Sequence, residues 1–193
     1  MIMNTVNKTD KQLRGKDLYS KQKLAENYSD NIKIIALDIQ TPENLASIFR
    51  LADAAGCKTI VLVGDKNSHD TRKVSKIARA VEKFLTIEKM SREEFIKEHK
   101  KFQPLMAVDI TARSKNLFSV SLPEECAFVI GNEKYGVDAE ILDLCSQAIH
   151  IPMFGCNGSM NVSHALGIVL FEWRRQMSLK TSTVVSQGSD VSD

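Results

Sequence analysis

The sequence lacks the patterns that mark several common classes of protein. Its four cysteines, Cys57, Cys126, Cys145 and Cys156, show no C-x-x-C spacing and no histidine pairing of the kind that builds a zinc site. No secretory signal precedes them, so we expect reduced thiols in a cytoplasmic protein. No apolar run approaches the roughly 20 residues needed to span a bilayer. We therefore predict neither a metal site nor a membrane-spanning segment.

Three familiar ligand-binding or catalytic motifs are absent as well. The loop from Gly155 to Ser159 has no lysine, which a Walker-type phosphate loop requires. DIQTPENL, which follows the first predicted strand, has no glycine-rich turn for a dinucleotide. No G-x-S-x-G pattern marks a hydrolase nucleophile. The histidines have no companion pattern, and we interpret them as ordinary structural or surface residues.

Composition predicts one principal domain with polar ends. The chain has 193 residues, 43% of them hydrophobic, which suffices for a sizeable core. We predict a polar, basic N-terminal extension over 1–31, a domain over 32–179 and a disordered tail over 180–193. The net charge of +2 is too small to identify a nucleic-acid partner. The strongest basic patch is a predicted helix from Asp70 to Lys83. Contact with nucleic-acid phosphates and a merely solvated surface are equally good interpretations of this helix, and the same two interpretations apply to the lysine-rich extension.

Short apolar runs of strand length alternate with amphipathic segments along the middle of the chain. This pattern favours an α/β domain with a mostly parallel sheet and helices on both faces. Ligands of such sheets gather in the loops beyond the carboxyl ends of the strands. Polar loops follow Asp38, Ile130 and Ile151, and we expect a site there.

The stretch from Ile151 to Trp173 combines a loop and a strongly apolar helix. Ser159 stands where the N-cap of that helix is expected, and its free first-turn amides would face a ligand in the loop. The apolar stripe predicts burial against a core. Taken alone, the stretch is more typical of an ordinary strand, turn and capped helix than of a ligand site.

Three blocks of the sequence resemble the motifs of the SpoU (TrmH-like) ribose methyltransferases of the SPOUT class. The blocks stand in the order and spacing of that family, and they are Asn44 to Arg50, Gly131 to Gly136, and Ile151 to Ser163. The family often has glycine where Ala46 stands, a change that a helix interior tolerates. The resemblance extends over about 33–177.

The resemblance implies a fold, a cofactor and an assembly. Members of the family thread a C-terminal segment through a loop to form a deep trefoil knot, and they bind S-adenosylmethionine there. They form homodimers in which the site is completed at the subunit interface. By position, Gly131, Ile151 and Met160 would bind the cofactor, largely through backbone groups, and the strand end near Asp109 and Ile110 would close over the adenine.

The resemblance also implies a reaction, the transfer of a methyl group to a ribose 2′-hydroxyl of tRNA or rRNA. The catalytic set carried over by position is Asn44, Arg50, Glu133, Ser159 and Asn161. For Arg50 we favour positioning and charge stabilisation, because a guanidinium is a poor base and binds phosphate well. Two alternatives stay open: an RNA-binding relative without catalysis, and a SPOUT enzyme that methylates a base.

Overall fold

The computed structural model describes residues 29–64 and 84–187, the last seven of them by their backbone alone. The basic stretch from Asp70 to Lys83 and most of the N-terminal extension lie outside the described residues. Within these ranges the chain forms seven strands: β1 Ser29–Leu37, β2 Cys57–Val63, β3 Thr86–Met90, β4 Leu105–Val108, β5 Lys115–Asn116, β6 Cys126–Ile130 and β7 Gln147–His150. The same ranges contain four α-helices: α1 Pro42–Ala55, α2 Arg92–Glu98, α3 Ala139–Leu144 and α4 Val162–Gln187.

The strands form one sheet in the order β3-β2-β1-β6-β4-β7-β5. All of the strand pairings in it are parallel, which confirms the predicted fold class. Because parallel strands end at the same edge, the carboxyl ends of the four neighbours β1, β6, β4 and β7 lie side by side. The sheet order therefore gathers the polar loops that the sequence singles out.

Both faces of the sheet are covered, as the nearly continuous apolar strands predict. Ile34 and Ala36 of β1 belong to the core that α1 and α4 cover, whereas Ile35 and Leu37 belong to the core beneath α2 and α3. This alternation follows from the two-residue period of a strand. Leu166, Val169, Leu170 and Trp173 of α4 are buried, which confirms the predicted stripe.

The helix boundaries follow local sequence signals. Pro42 stands at the first position of α1, and Gly56 ends that helix in the left-handed conformation with φ of 64°. Ser91 and Glu94 form the predicted capping box of α2. The predicted disordered tail is wrong over its first residues, because α4 continues to Gln187. Adding a residue to an existing helix costs much less free energy than nucleating a new helix, so polar residues can continue α4 beyond its buried part.

Polar contacts fasten α4 to the segment that precedes β6. Gln176 accepts a bond from the N–H of Leu122 at 2.8 Å and donates one to the carbonyl of Val120 at 3.0 Å. The indole N–H of Trp173 donates to the carbonyl of Pro123 at 2.8 Å. On the other side, Arg174 donates to carbonyls at the end of α1. The trefoil knot implied by the resemblance stays a prediction.

The two-residue strand β5 escapes sequence analysis because so short a segment carries no periodicity. None of the described helices combines the length and the hydropathy that crossing a membrane requires. All four cysteines are unpaired, as predicted.

Candidate active site

A cavity of about 830 Å³ opens at the carboxyl ends of β1, β6, β4 and β7. Its volume lies within the range of small-molecule sites, roughly 300 to 1,000 Å³. The walls are the loops after β4, β6 and β7 together with the first turns of α1 and α4. Segments far apart in sequence therefore meet around one space.

Glu133 joins the loop after β6 to the start of α1. Its Oε1 accepts hydrogen bonds from Asn44 Nδ2 and from the Thr41 N–H, both at 2.9 Å, and its Oε2 accepts one from the Gln40 N–H at 3.1 Å. Partial desolvation raises the pKa of this carboxyl, but the bonds from Asn44, Gln40 and Thr41 outweigh that effect and lower the pKa to about 2. Glu133 is therefore ionised at neutral pH and is a weak base, so its role in the geometry is to orient Asn44.

Asn161 continues the network from Asn44 to α4. Its Nδ2 donates to Asn44 Oδ1 at 3.0 Å, and its Oδ1 accepts from the backbone N–H of Ser163 at 2.9 Å and from the Ser163 hydroxyl at 2.7 Å. Asn161 thus caps α4, and the prediction of Ser159 as its N-cap is wrong. Ser159 lies two residues earlier, exposed, in the wall of the cavity. Both residue types cap helices well, so the sequence alone does not separate them.

Arg50 is the one residue of the predicted catalytic set that the fold keeps away from this cavity. It is exposed on α1 and is not among the residues that line the cavity in the described part of the chain. Six helical residues separate it from Asn44, which turns the two side chains about 120° apart and moves them about 9 Å along the axis. Within one subunit, the side chains of Arg50 and Asn44 therefore leave the helix in different directions.

The residues predicted to bind a cofactor all line the cavity. Gly131, Ile151 and Met160 come from the loops after β6 and β7 and from the segment before α4. Gly131 also has a structural reason to be glycine, because a Cβ there would lie 2.0 Å from the carbonyl carbon of Gly136. Gly136 itself has φ of 68° and would place a Cβ 2.4 Å from Asp109 Oδ2. The two glycines therefore allow the turn after β6 to pack closely on itself and on the end of β4.

The Asp109 carboxylate is occupied by backbone amides. Its Oδ2 accepts from the Val137 N–H at 2.6 Å and its Oδ1 from the Ile110 N–H at 2.7 Å. These bonds fasten the loop after β6 to the end of β4. Backbone groups and the exposed side chain of Ile110 stand beside this carboxylate in the wall of the cavity.

Two contributors were missed by sequence reasoning. Asn132 donates to the Asp38 carbonyl at 2.8 Å and holds the turn after β6; its place inside a motif and the turn preference of asparagine were available signals. His150, interpreted as an ordinary residue, lines the cavity with its Nδ1 3.0 Å from the Ser114 hydroxyl. Ser114 is 36 residues away, and no sequence pattern pairs the two.

The chemistry of the cavity is that of a hydrogen-bonding site whose central carboxylates already serve the fold. The carboxylates of Glu133 and Asp109 are engaged in bonds within the protein, and the Asn44 amide is fixed from two sides. In the described ranges, 29–64 and 84–187, no three His, Cys, Asp or Glu side chains are grouped to hold a metal ion. The arrangement suits a polar ligand bound by loop backbone, with one rigid amide directed at it.

The chain resembles known proteins in sequence and in fold. The pattern of the SpoU rRNA Methylase family matches residues 31–171. The chain is 34% identical over 164 residues to the 23S rRNA (guanosine-2'-O-)-methyltransferase RlmB of Neisseria meningitidis serogroup B, covering 82% of this chain and 64% of that protein. It is 28% identical over 165 residues to the tRNA (guanosine(18)-2'-O)-methyltransferase of Aquifex aeolicus, covering 82% of this chain and 76% of that protein.

Solved structures share the fold. The A. aeolicus TrmH/SpoU tRNA modifying enzyme superposes with a TM-score of 0.72 at 27% identity, covering 86% of this chain and 85% of that one. The AdoMet-bound rRNA methyltransferase from Sinorhizobium meliloti superposes with a TM-score of 0.68 at 26% identity, covering 79% of this chain and 59% of that one. The chain therefore spans less than two thirds of the Neisseria and Sinorhizobium proteins.

Proposed function

The chain belongs to the SpoU rRNA methylase family, and from this premise we propose that it transfers a methyl group from S-adenosylmethionine to a ribose 2′-hydroxyl of tRNA or rRNA. The main support is the hydrogen-bonded series Glu133, Asn44 and Asn161 at the cavity. These residues come from the three segments that carry the resemblance. The relatives named for guanosine 2′-O-methylation support the same reaction. The unpaired cysteines fit the predicted cytoplasmic location.

The cavity fits S-adenosylmethionine in size and in chemistry. When bound, the cofactor supplies an electrophilic methyl group on a sulfonium. Gly131, Ile151 and Met160 would hold it, and the close packing of Gly131 on Gly136 fixes the shape of the loop that carries the first of them. The lack of an unengaged carboxylate on Glu133 or Asp109 matches a ligand recognised by backbone hydrogen bonds.

The polar side chains hold the acceptor in place. Asn44 has one amide hydrogen bonded to Glu133 and its oxygen bonded to Asn161, which leaves a second amide hydrogen in a fixed direction. That hydrogen can orient the ribose of the substrate. The exposed Ser159 is in reach of the same nucleotide at the cavity wall. Placement of this kind accounts for a large part of the acceleration of a group transfer.

We assign Arg50 to the active site of a second copy of the chain. It is exposed on α1, and the neighbouring helix α4 exposes Phe171, whose side chain is 51% accessible. A cation on one of two packed helices and an exposed aromatic side chain on the other suit a self-complementary contact between two copies. The homodimer implied by the resemblance would thus bring an arginine to a cavity in whose wall the described residues place none.

Methyl transfer is tested with the purified full chain, S-adenosylmethionine labelled in its methyl group, and total RNA from cells without the protein. We expect label on a ribose 2′-oxygen after nuclease digestion and mass spectrometry. Label on a base would identify a base methyltransferase. Cofactor and RNA binding by calorimetry without label transfer would identify a binding protein. Either result would overturn the proposal.

The contribution of Arg50 from a second copy is tested by mixing two inactive variants, Arg50→Ala and Asn44→Ala. Random pairing makes about half of the dimers mixed. If Arg50 acts across the interface, one of the two sites in each mixed dimer has both an intact Asn44 and an intact Arg50. Activity should therefore return to roughly a quarter of wild type. If Arg50 acts within its own subunit, the mixture stays inactive. Each variant alone, and the elution of both as dimers, are the controls.

A further inference from the structure

We infer that Lys134 and Tyr135 form a platform for an unpaired RNA nucleotide at the rim of the cavity, an inference that rests on the proposed function. Both residues line the cavity. Tyr135 is 76% exposed, although a tyrosine ring is largely apolar. The Lys134 ammonium lies 4.9 Å from the centre of that ring. An aromatic face beside a cation is the combination that binds a base and its phosphate.

The platform is held rigidly before any ligand arrives. Asn132 Oδ1 accepts from the backbone N–H of Lys134 at 2.9 Å and from that of Tyr135 at 3.2 Å. The backbones of Asn132 and Gly136 exchange two further bonds, at 3.1 and 2.9 Å, which close the turn. The two side chains therefore project from a fixed loop, and little conformational entropy is lost when they bind.

The position of the turn links the platform to the reaction. Glu133 immediately precedes Lys134, and its carboxylate is bonded to the start of α1 and to Asn44. Lys134 and Tyr135 are exposed at the other end of the same turn. A nucleotide stacked on Tyr135 would thus have its sugar close to the polar network.

The chemistry of the pair selects RNA that is not in a helix. A base can stack on Tyr135 only if one of its faces is free, whereas a base inside a duplex is stacked on both faces. Within the described part of the chain, Lys134 makes no ion pair with a carboxylate, so its charge is available for a phosphate. The inferred substrate class is therefore a single-stranded loop or an extruded nucleotide.

Stacking is tested with Tyr135→Ala and Tyr135→Phe in the full chain. The probe is a fluorescein-labelled single-stranded RNA of about 12 nucleotides, compared with its duplex. We expect Tyr135→Ala to weaken binding of the single strand about 5- to 100-fold, Tyr135→Phe to bind like wild type, and the duplex to respond to neither change. The control is Phe118→Ala, which removes an aromatic side chain of similar exposure, 55%, away from the cavity. Equal affinity of Tyr135→Ala and wild type for the single strand would overturn the inference.

The phosphate contact is tested with Lys134→Gln, with Lys100→Gln as the matched control for an exposed lysine on another surface. Removing one phosphate contact to a single strand should lower the salt slope of log K by about 0.7, and the control should leave it unchanged. Equal slopes for both variants would refute the role of Lys134.

A kinetic comparison separates this inference from the proposed function. Where wild type methylates RNA, Tyr135→Ala should raise KM for RNA and leave calorimetric binding of S-adenosylmethionine unchanged. A wild-type KM in that variant would reject the platform and leave the methyltransferase proposal intact. Absence of methylation by wild type would reject the proposed function, while the affinity measurements would still decide whether the platform binds RNA.

Discussion

Replacing Glu133 with glutamine should destabilise the protein at neutral pH and have little effect in acid. The carboxylate accepts three hydrogen bonds, from Asn44, Thr41 and Gln40. A glutamine oxygen can still accept the bonds from Asn44 and Thr41. Its amide nitrogen would then face the Gln40 N–H, and because both groups are donors they cannot form a hydrogen bond. We therefore expect the hydrogen bond from Gln40 to be lost and its N–H to be left without an acceptor from residue 133.

The magnitude follows from the pKa of the carboxyl in the folded protein. Linkage between the ordinary value of 4.5 and the folded value of about 2 sets a ceiling of about 3 kcal/mol. Because the residue is exposed overall, solvent screening reduces this to about 1 to 2 kcal/mol. The folded pKa is the lower one, so this stability is fully present above pH 4.5 and is lost as the pH falls toward 2.

The assay is urea unfolding of wild type and Glu133→Gln from pH 6 to pH 3, with thermal unfolding at pH 7. We expect a lower free energy of unfolding for the variant at pH 6, a difference that shrinks toward pH 3, and a Tm about 2 to 8 °C lower at pH 7. Glu125→Gln, at an exposed carboxylate with no hydrogen bond recorded among the described residues, is the control. A difference that stays constant over this pH range would refute the ionised network.

Two further substitutions test the loops. Gly136→Ala should destabilise the protein by about 1 to 3 kcal/mol and weaken binding of S-adenosylmethionine in calorimetry, because φ is 68° and the new Cβ would meet Asp109. The control is Gly155→Ala, where a Cβ meets nothing within 4 Å, and it should change neither the stability nor the binding. Asn161→Ala should cost about 1 kcal/mol in urea unfolding through loss of the cap. Asn161→Asp should recover that stability but not methyl transfer, since a carboxylate cannot donate to the Asn44 oxygen; recovery of both would show that Asn161 acts only as a cap.

The parallel sheet and its site-bearing edge were predictable because each strand is apolar along its whole length. The segments Lys33 to Asp38 and Lys58 to Val63 predict β1 and β2 to within a few residues. Such strands need helices on both faces, and this requirement fixes where the loops emerge. Sequence periodicity says nothing, however, about the order of the strands. The adjacency of β6 and β4, which brings Asp109 to the Gly136 turn, needed the fold.

The position of Arg50 outside the cavity has a geometric cause that the sequence already contained. Arg50 lies opposite the apolar face of α1, and a separation of six residues turns it away from Asn44. The motif contains both residues, but their spacing on one helix turns their side chains in different directions. Where each residue of a motif stands relative to the cavity therefore needed the fold.

The error at Ser159 shows why structural and functional interpretations of a helix start need not compete. Asn161 caps α4 with its oxygen and holds Asn44 with its nitrogen. Glu133 likewise satisfies backbone amides before α1 while it orients the Asn44 side chain. The side chains that stabilise the first turns of these helices are thus the side chains that build the site. Since the same atoms serve both purposes, stability and turnover can be separated only by a substitution that keeps the acceptor and removes the donor.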